Sequence, residues 1–232
     1  MSDNLKVFVG YDSREDDAYE VCAASIRRHA SGSVEIIPIK QADMRDQGLY
    51  WRDVDPLAST EFTYTRFLVP KLAGFQGWAL FCDCDFLWTS DICEIQQYRQ
   101  SDLALLCVKH DHRPAEAVKM DGQVQTTYPR KNWSSLMFLN CGHESTKSLT
   151  PEIVNSHSGA YLHRMQWASD EQIGELPDEW NWLEGHSAKR EDGSAPKAIH
   201  FTRGGPWFEN YQDVAYADLW KNELAMLKRN QK

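Results

Sequence analysis

The opening of the chain constrains the fold more than any other stretch. Leu5-Lys6-Val7-Phe8-Val9 is a short β run closed by Gly10, and Tyr11-Asp12-Ser13-Arg14-Glu15 reads as a loop. Asp12 or Ser13 is placed to cap a helix, and Ala18, Val21, Cys22, Ser25 and Ile26 then recur at helical spacing to about Ala30. Ser31-Gly32-Ser33 turns the chain, and Val34-Glu35-Ile36-Ile37-Pro38-Ile39 is a second β run. Strand, helix, strand in this order is a βαβ unit, whose crossover favours a parallel pair. An α/β fold follows, with ligands expected at the carboxyl ends of its strands. Tyr11 is placed there to stack on a base, and Asp12 to accept from a base or ribose; both are equally ordinary turn residues.

The segment from Trp78 to Trp88 carries the chemistry. Trp78-Ala79-Leu80-Phe81-Cys82 is apolar, Asp83-Cys84-Asp85 inserts two carboxylates, and Phe86-Leu87-Trp88 is apolar again. In an extended strand residues i and i+2 share a face, so Asp83 and Asp85 are expected on one face and Cys82 and Cys84 on the other. Two like charges at the mouth of a core repel each other and are costly to bury. A divalent cation removes both objections, and hard oxygen ligands suit Mg²⁺ or Mn²⁺ with positions left open for phosphate. The plainer reading has Asp83 ending the strand and Asp85 capping the next turn, and this segment alone supports either.

Further runs fit the same class. A helix is expected from Thr60-Glu61 to Ala73, with Pro70 as a kink or early end and Arg66 near the Asp pair in sequence. Asp91 to Tyr98 reads as a short helix, and Leu103 to Val108 and Ser134 to Cys141 as strands, the last ending in Asn140, which can reach a sugar hydroxyl or satisfy its own turn. Thr150-Pro151 starts a helix extending to Leu162 or Met165. Asp170 and Glu171 either suit the first turn of a helix or face a site. His200 ends the short run Lys197-Ala198-Ile199-His200-Phe201, and Thr202-Arg203-Gly204-Gly205-Pro206-Trp207 follows as a plain turn or a cradle for anionic oxygens. Lys109 to Arg113 is a polar cluster whose His110 and His112 are better read as solvated than as ligands. Asp213 to Arg229 is an amphipathic helix with a basic end, read as core packing ahead of peripheral membrane contact.

The net charge of -9, with no run of Lys or Arg, excludes a nucleic-acid binder as the first reading. An acidic chain that handles an anionic substrate needs local positive charge, which a metal supplies. The N-terminus lacks the form of a signal peptide, and no apolar window is long enough to span a bilayer. Six cysteines at irregular spacing are expected to be reduced and mostly buried, in a cytoplasmic protein. Cys82 and Cys84 lack the spacer and the partner pair of a zinc site.

In order along nearly the whole chain, VFVGYDSRE, TRFLVP with FCDCD, SSLMFLNCG, SDEQ and HFTRGGPW resemble glycosyltransferase family 8. That retaining group includes bacterial lipopolysaccharide galactosyl- and glucosyltransferases and glycogenin. The resemblance implies a GT-A fold over residues 1–232 as a single domain: a Rossmann-like nucleotide-binding unit with a mostly parallel, mixed central sheet flanked by helices. It implies a UDP-sugar donor, a carbohydrate or glycolipid acceptor, and Mn²⁺, with Mg²⁺ as a substitute, held by Asp83, Asp85 and His200. Val9, Gly10, Tyr11 and Asp12 would line the nucleoside, and Asp83, Cys84, Arg203, Gly204 and Gly205 the rest of the nucleotide. Arg66, Asn140, Asp170 and Glu171 would surround the donor sugar, the last two as catalytic groups. Arg203 stands in a shorter loop where the family often carries lysine, and Glu171 where some members carry glutamine. The acceptor is expected to meet residues 41–60 and 109–133 and the C-terminal segment, at the inner face of a membrane if it is a glycolipid.

A nucleotidyltransferase or a sugar-nucleotide hydrolase would also use a carboxylate–metal site on such a sheet. GYDSRED is a poor match to the Gly-rich basic loop of the former, and the latter would release free sugar with no acceptor present. An inactive carbohydrate-binding relative would not need Asp83, Asp85 and His200 together.

Overall fold

The computed structural model describes residues 4–56, 58–110, 130–190 and 192–230. β1 (Leu5–Gly10), α1 (Asp16–His29) and β2 (Val34–Ile39) form the expected βαβ unit, with β1 and β2 parallel from Leu5↔Val34 to Gly10↔Ile39. β1 pairs on its other side, also in parallel, with β3 (Trp78–Cys82). The sheet continues through β5 (Leu105–Cys107), β6 (Leu136–Asn140) and β7 (Ile173–Glu175) in the order β2-β1-β3-β6-β5-β7. β6 is antiparallel to both β3 and β5, and β5 is parallel to β7, so β6 alone runs against the other five. This mixed, mostly parallel sheet flanked by helices is the expected GT-A arrangement.

The central strands read as unbroken apolar runs because both of their faces are covered. Val7, Phe8, Val9, Leu80, Phe81, Met137, Phe138 and Leu139 are all buried. Each such side chain contributes about 1.5–3 kcal/mol relative to exposure.

β4 (Phe86–Trp88), β8 (Trp182–Leu183) and β9 (Ala198–His200) make a second sheet of order β4-β9-β8. The strand that carries the aspartates therefore does not run through them. It stops at Cys82, the chain turns over Asp83-Cys84-Asp85, and β4 starts in a different sheet.

Several helices differ from expectation. α1 begins at Asp16, with Glu15 at its cap position and no side-chain capping bond; Asp12 is occupied elsewhere. α2 (Gln41–Asp46) leads into the loop carrying the buried Tyr50 and the exposed Trp51. The helix expected over 60–73 is a 3₁₀ turn, Thr65–Leu68, passing into α3 (Val69–Leu72). Pro70 lies in the first turn of α3, where its missing N–H breaks no helical bond. The short helix expected from Asp91 to Tyr98 is a 3₁₀ helix over Ile92–Tyr98, with Asp91 as its cap. Beyond the short α4 (Glu144–Lys147), Thr150 caps α5 (Pro151–Ser156), which ends early. Ser158 then caps a separate α6 (Gly159–His163). α7 (Ala217–Asn230) buries Trp220, and its Glu223 pairs with Arg28 of α1 at 2.8 Å, so core packing accounts for its apolar face. No helix among the described residues is long and apolar enough to cross a membrane. Asp111, His112 and Arg113 lie outside the described residues.

Candidate metal centre

Three elements bring the expected ligands together. The Asp83 N–H donates to the Ser135 carbonyl at 2.9 Å, which extends the β3–β6 pairing just past Cys82. Asp85 precedes β4, whose Phe86 is paired with His200 of β9, and the Phe201 N–H closes the pair onto the Asp85 carbonyl at 3.0 Å. One ligand atom from each of Asp83, Asp85 and His200 falls within 4.8 Å of the others. His200 Nε2 is 3.3 Å from Asp85 Oδ2. The other carboxylate oxygen, Asp85 Oδ1, is buried with no hydrogen-bond partner.

A buried acceptor left unpaired is costly, and a cation between the carboxylates and the imidazole would satisfy it. Two carboxylates and one imidazole can hold a divalent ion of the Mn²⁺ or Mg²⁺ kind. The electrostatics agree. Burial pushes the Asp83 carboxyl up to about 7, with Asp85 adding to the rise and Arg66 and His200 opposing it. Burial likewise lifts Glu15 to about 7, helped by Asp85 and Asp12. The folded chain thus concentrates more negative charge here than it holds comfortably without a cation.

Arg66 is buried beside the cluster, as its place in the sequence suggested. Its guanidinium donates to Asp83 Oδ1 at 2.7 Å and to the Ser134 carbonyl at 3.0 Å, and lies 5.1 Å from the ring centroids of both Phe62 and Phe81. Arg66, Asp83, Asp85, His200, Arg203 and Gly204 all border one cavity of about 300 Å³. Asn132 and Trp207, from segments expected near the substrate, also line it, as do Glu15, Ser134, Ser135 and His163, which were not singled out. The one signal for the serines was their position just ahead of an apolar run. A second cavity of about 200 Å³, bordered by Gln41, Tyr50, Asp55 and Tyr64, shares the lining residue Thr60 with the first.

Other expectations need correction. Because β6 is antiparallel, its beginning and not its end lies beside Asp83: Leu136 faces Cys82, whereas Asn140 faces Trp78 at the opposite end of the sheet. Five residues of strand separate Trp78 from Asp83, which puts Asn140 about 17 Å away along β3. Its side chain donates instead to the Leu103 carbonyl, just ahead of β5, at 3.1 Å. Asp170 and Glu171 are exposed, border neither cavity, and begin a 3₁₀ turn ahead of β7 with a Ser169–Gln172 capping box. The Gln172 carbonyl accepts from Ala104 at the start of β5, which is again the far end of the sheet. Asp170 pairs with Arg130, whose guanidinium also donates to the carbonyl of Arg164, the residue after cavity-lining His163.

Around β1, Val9 and Gly10 are buried in the sheet and border neither cavity. Asp12 is fully buried. Burial alone would raise its carboxyl, but the hydrogen bonds from the Arg14 side chain and from the Arg14 and Glu61 N–H groups outweigh that and hold it below the usual range. Those donors take the acceptor capacity expected to serve a base or ribose. Tyr11 is half-buried and donates to Asp16 Oδ1 at 2.8 Å, with the Lys40 ammonium 4.5 Å from its ring. The Cys84 thiol is buried and points at Glu15 Oε2, 3.8 Å away. In the glycine pair, the Gly204 N–H is spent on the Phe201 carbonyl at 2.8 Å. Gly205 is required by packing, since a Cβ there would lie 2.1 Å from the Trp207 ring. Arg203 is the loop's cation at the cavity, which Thr202, Gly204 and Trp207 also line.

No protein-family model matches the chain. Protein CDI of Arabidopsis thaliana is 53% identical over 230 residues, covering 98% of this chain and 89% of its own length. Among solved structures, the apo bifunctional glycosyltransferase WbbM superposes with a TM-score of 0.68 at 15% identity, over 97% of this chain and 50% of that one. The apo glycosyltransferase GlyE of Streptococcus pneumoniae gives 0.60 at 14% identity, over 97% and 62%. The galactosyltransferase LgtC, solved with donor and acceptor sugar analogues, gives 0.61 at 10% identity, over 96% of both chains. This chain thus spans about half of WbbM and under two thirds of GlyE. At these identities the shared property is the GT-A fold.

Proposed function

The chain belongs to the family of protein CDI of Arabidopsis thaliana, and we propose that it is a metal-dependent glycosyltransferase moving a hexosyl group from a UDP-sugar to the hydroxyl of a carbohydrate or glycolipid acceptor. The observation that carries this reading is the Asp83–Asp85–His200 cluster with its orphaned Asp85 oxygen, at the carboxyl end of β3 in a GT-A fold. Asp83 and Asp85 through carboxylate oxygens and His200 through Nε2 would hold Mn²⁺, with Mg²⁺ as a substitute. Bound there, the ion would offset charge gathering on the leaving diphosphate.

The chain's own groups do the rest. Arg66 fixes Asp83 by its hydrogen bond and the two flanking rings, so the carboxylate is oriented before substrate arrives. Arg203 supplies a positive charge at the cavity wall for a phosphate oxygen. Ser134 and His163, hydrogen-bonded to each other at 2.8 Å, offer polar edges to sugar hydroxyls. The second cavity, which shares Thr60 with the first, has the place and polarity to take the nucleoside. Six free cysteines suit work in a reducing cytoplasm.

Retention of configuration needs either a nucleophile on the face opposite the leaving group or attack from the same face. Among the described residues the carboxylates lining the cavity are Glu15, Asp83 and Asp85, all on the metal side. Same-face attack is therefore the better supported route, with the acceptor proton passing to a departing phosphate oxygen.

The test is a donor screen that follows nucleoside diphosphate release and product formation with Mn²⁺, in wild type, Asp83→Ala and Asp85→Ala. Transfer should need both acceptor and metal and vanish in both variants while their circular dichroism stays unchanged. Wild-type rates in either variant, or free sugar as the product with acceptor present, would overturn the assignment.

A further inference from the structure

His200 does not stand alone. Its Nδ1 is 2.9 Å from Asn181 Oδ1, the Asn181 amide nitrogen is 2.9 Å from Ser135 Oγ, and Ser135 Oγ is 2.7 Å from the Asn132 carbonyl oxygen. Asn181 is fully buried and Ser135 nearly so. The chain of bonds has one sense when read from its end. The Asn132 carbonyl can only accept, so the Ser135 hydroxyl donates to it. The Ser135 oxygen then accepts from the Asn181 NH₂ group. The Asn181 carbonyl oxygen is left facing His200, so Nδ1 must carry the hydrogen. In a neutral imidazole Nε2 is then the bare nitrogen, and it faces the cavity 3.3 Å from Asp85 Oδ2. A lone pair opposed to a carboxylate oxygen is repulsive unless a positive charge lies between them.

We infer that Asn181, anchored by Ser135 and the Asn132 carbonyl, is a positioning residue that fixes the His200 tautomer so that Nε2 is presented to a divalent cation. The inference rests on the metal-site reading above and extends it to a residue that touches neither metal nor substrate. The anchor is itself set by the backbone: Asn132 adopts φ +64°, which directs its carbonyl at the Ser135 hydroxyl and N–H. Stacking of His200 on Phe86, with centroids 4.4 Å apart and planes at 17°, fixes the ring plane. The hydrogen bond to Asn181 then selects which nitrogen points inward. Partners of this kind orient ligands and raise metal affinity, and their loss typically weakens binding about 10–100-fold.

Two measurements test this on the whole chain. Nitrogen-15 spectra of histidine-labelled, metal-free protein in mildly alkaline buffer, with His200 assigned by its absence in His200→Gln, should show the hydrogen on Nδ1. Mn²⁺ titration followed by electron paramagnetic resonance should show binding weakened about tenfold or more in Asn181→Ala. Asn181→Asp, which keeps an acceptor oxygen against Nδ1, should bind close to wild type. Ser135→Ala frees the amide to turn over, so it should give mixed tautomers and intermediate affinity even if Asn181→Ala fails to fold. A hydrogen on Nε2 in the wild-type spectrum, or unchanged Mn²⁺ affinity in Ser135→Ala and Asn181→Ala, overturns the inference. If the wild-type chain binds no Mn²⁺ at all, the proposed function fails instead, and the tautomer still stands or falls by its own spectrum.

Discussion

The Arg66 guanidinium lies 2.7 Å from the Asp83 carboxylate, and both side chains are largely buried. Removing one partner of a buried pair is far more harmful than removing both, because the survivor stays uncompensated. Arg66→Met should therefore cost about 3–5 kcal/mol, less whatever is recovered when Asp83 takes up a proton. The double variant Arg66→Met with Asp83→Asn should recover much of that loss. Urea unfolding of the four members of the cycle measures the coupling, and strictly additive losses would show that the pair does not act as one unit.

The same burial sets a pH dependence. Asp83 and Glu15 have ordinary values of 3.8 and 4.5 and are held near 7 in the fold. The folded chain therefore binds these protons more tightly than the unfolded chain. Their contribution to stability is complete below about pH 4 and is lost as pH rises through 7. His163 works in the opposite direction. Burial, with Arg66 nearby, lowers it from 6.5 to about 3, so its contribution is complete above 6.5 and is lost as pH falls to 3. Thermal midpoints of metal-free Asp83→Asn and His163→Phe, followed across that range, should each flatten one of the two slopes. Apparent Mn²⁺ affinity should rise with pH up to about 7 and then level off, because binding must displace the Asp83 proton.

Gly10 leaves room for Phe62. A Cβ built on it would lie 2.5 Å from the Phe62 ring, and that ring in turn backs the Arg66 guanidinium. Gly10→Ala should destabilise the chain by about 1–3 kcal/mol through overpacking. It should also weaken Mn²⁺ binding, since Arg66 loses its support and Asp83 its orientation. Phe62→Leu added to Gly10→Ala should restore part of the stability, as read from denaturant midpoints. A stable Gly10→Ala with unaltered metal affinity would separate the packing from the site.

What could be read from the residues depended on which physical property wrote the signal. Burial writes apolar runs, so β1, β2, β3, β5 and β6 were legible, whereas the convergence of Arg66, Asp83, Asp85 and His200 was implied by the family resemblance. Strand direction leaves no such trace. An apolar run such as Leu136–Asn140 states that it is buried, not which way it points, and its antiparallel pairing moved the site from Asn140 to Ser134 and Ser135. Hydrogen-bond partners distant in sequence are equally silent. Nothing near Asp12 announced that the Glu61 N–H would reach its carboxylate, and nothing near His200 announced Asn181, apart from a lone amide set between Trp180 and Trp182. The Asp83–Asp85 pair was expected to converge through the pleat of a strand and does so through a turn between two sheets.

Asp170 and Glu171 offer the sharpest comparison between resemblance and position. By resemblance they flank the donor sugar. In the fold the Asp170 side chain is 80% exposed, it is paired with Arg130, and the turn that follows joins β7 to the end of the sheet remote from Asp83. Neither residue borders the cavity, and the pair with Arg130 holds the Asp170 carboxylate outside its lining. Asp170→Asn and Glu171→Gln should therefore keep transfer within roughly threefold of wild type, whereas a catalytic acid or base would lose roughly a hundredfold or more. The comparison is made at saturating donor and acceptor, so that kcat is read apart from KM. A loss of the larger size, with unfolding midpoints unchanged, would mean that this turn closes on the donor during turnover, and the retaining step would then pass through a carboxylate after all.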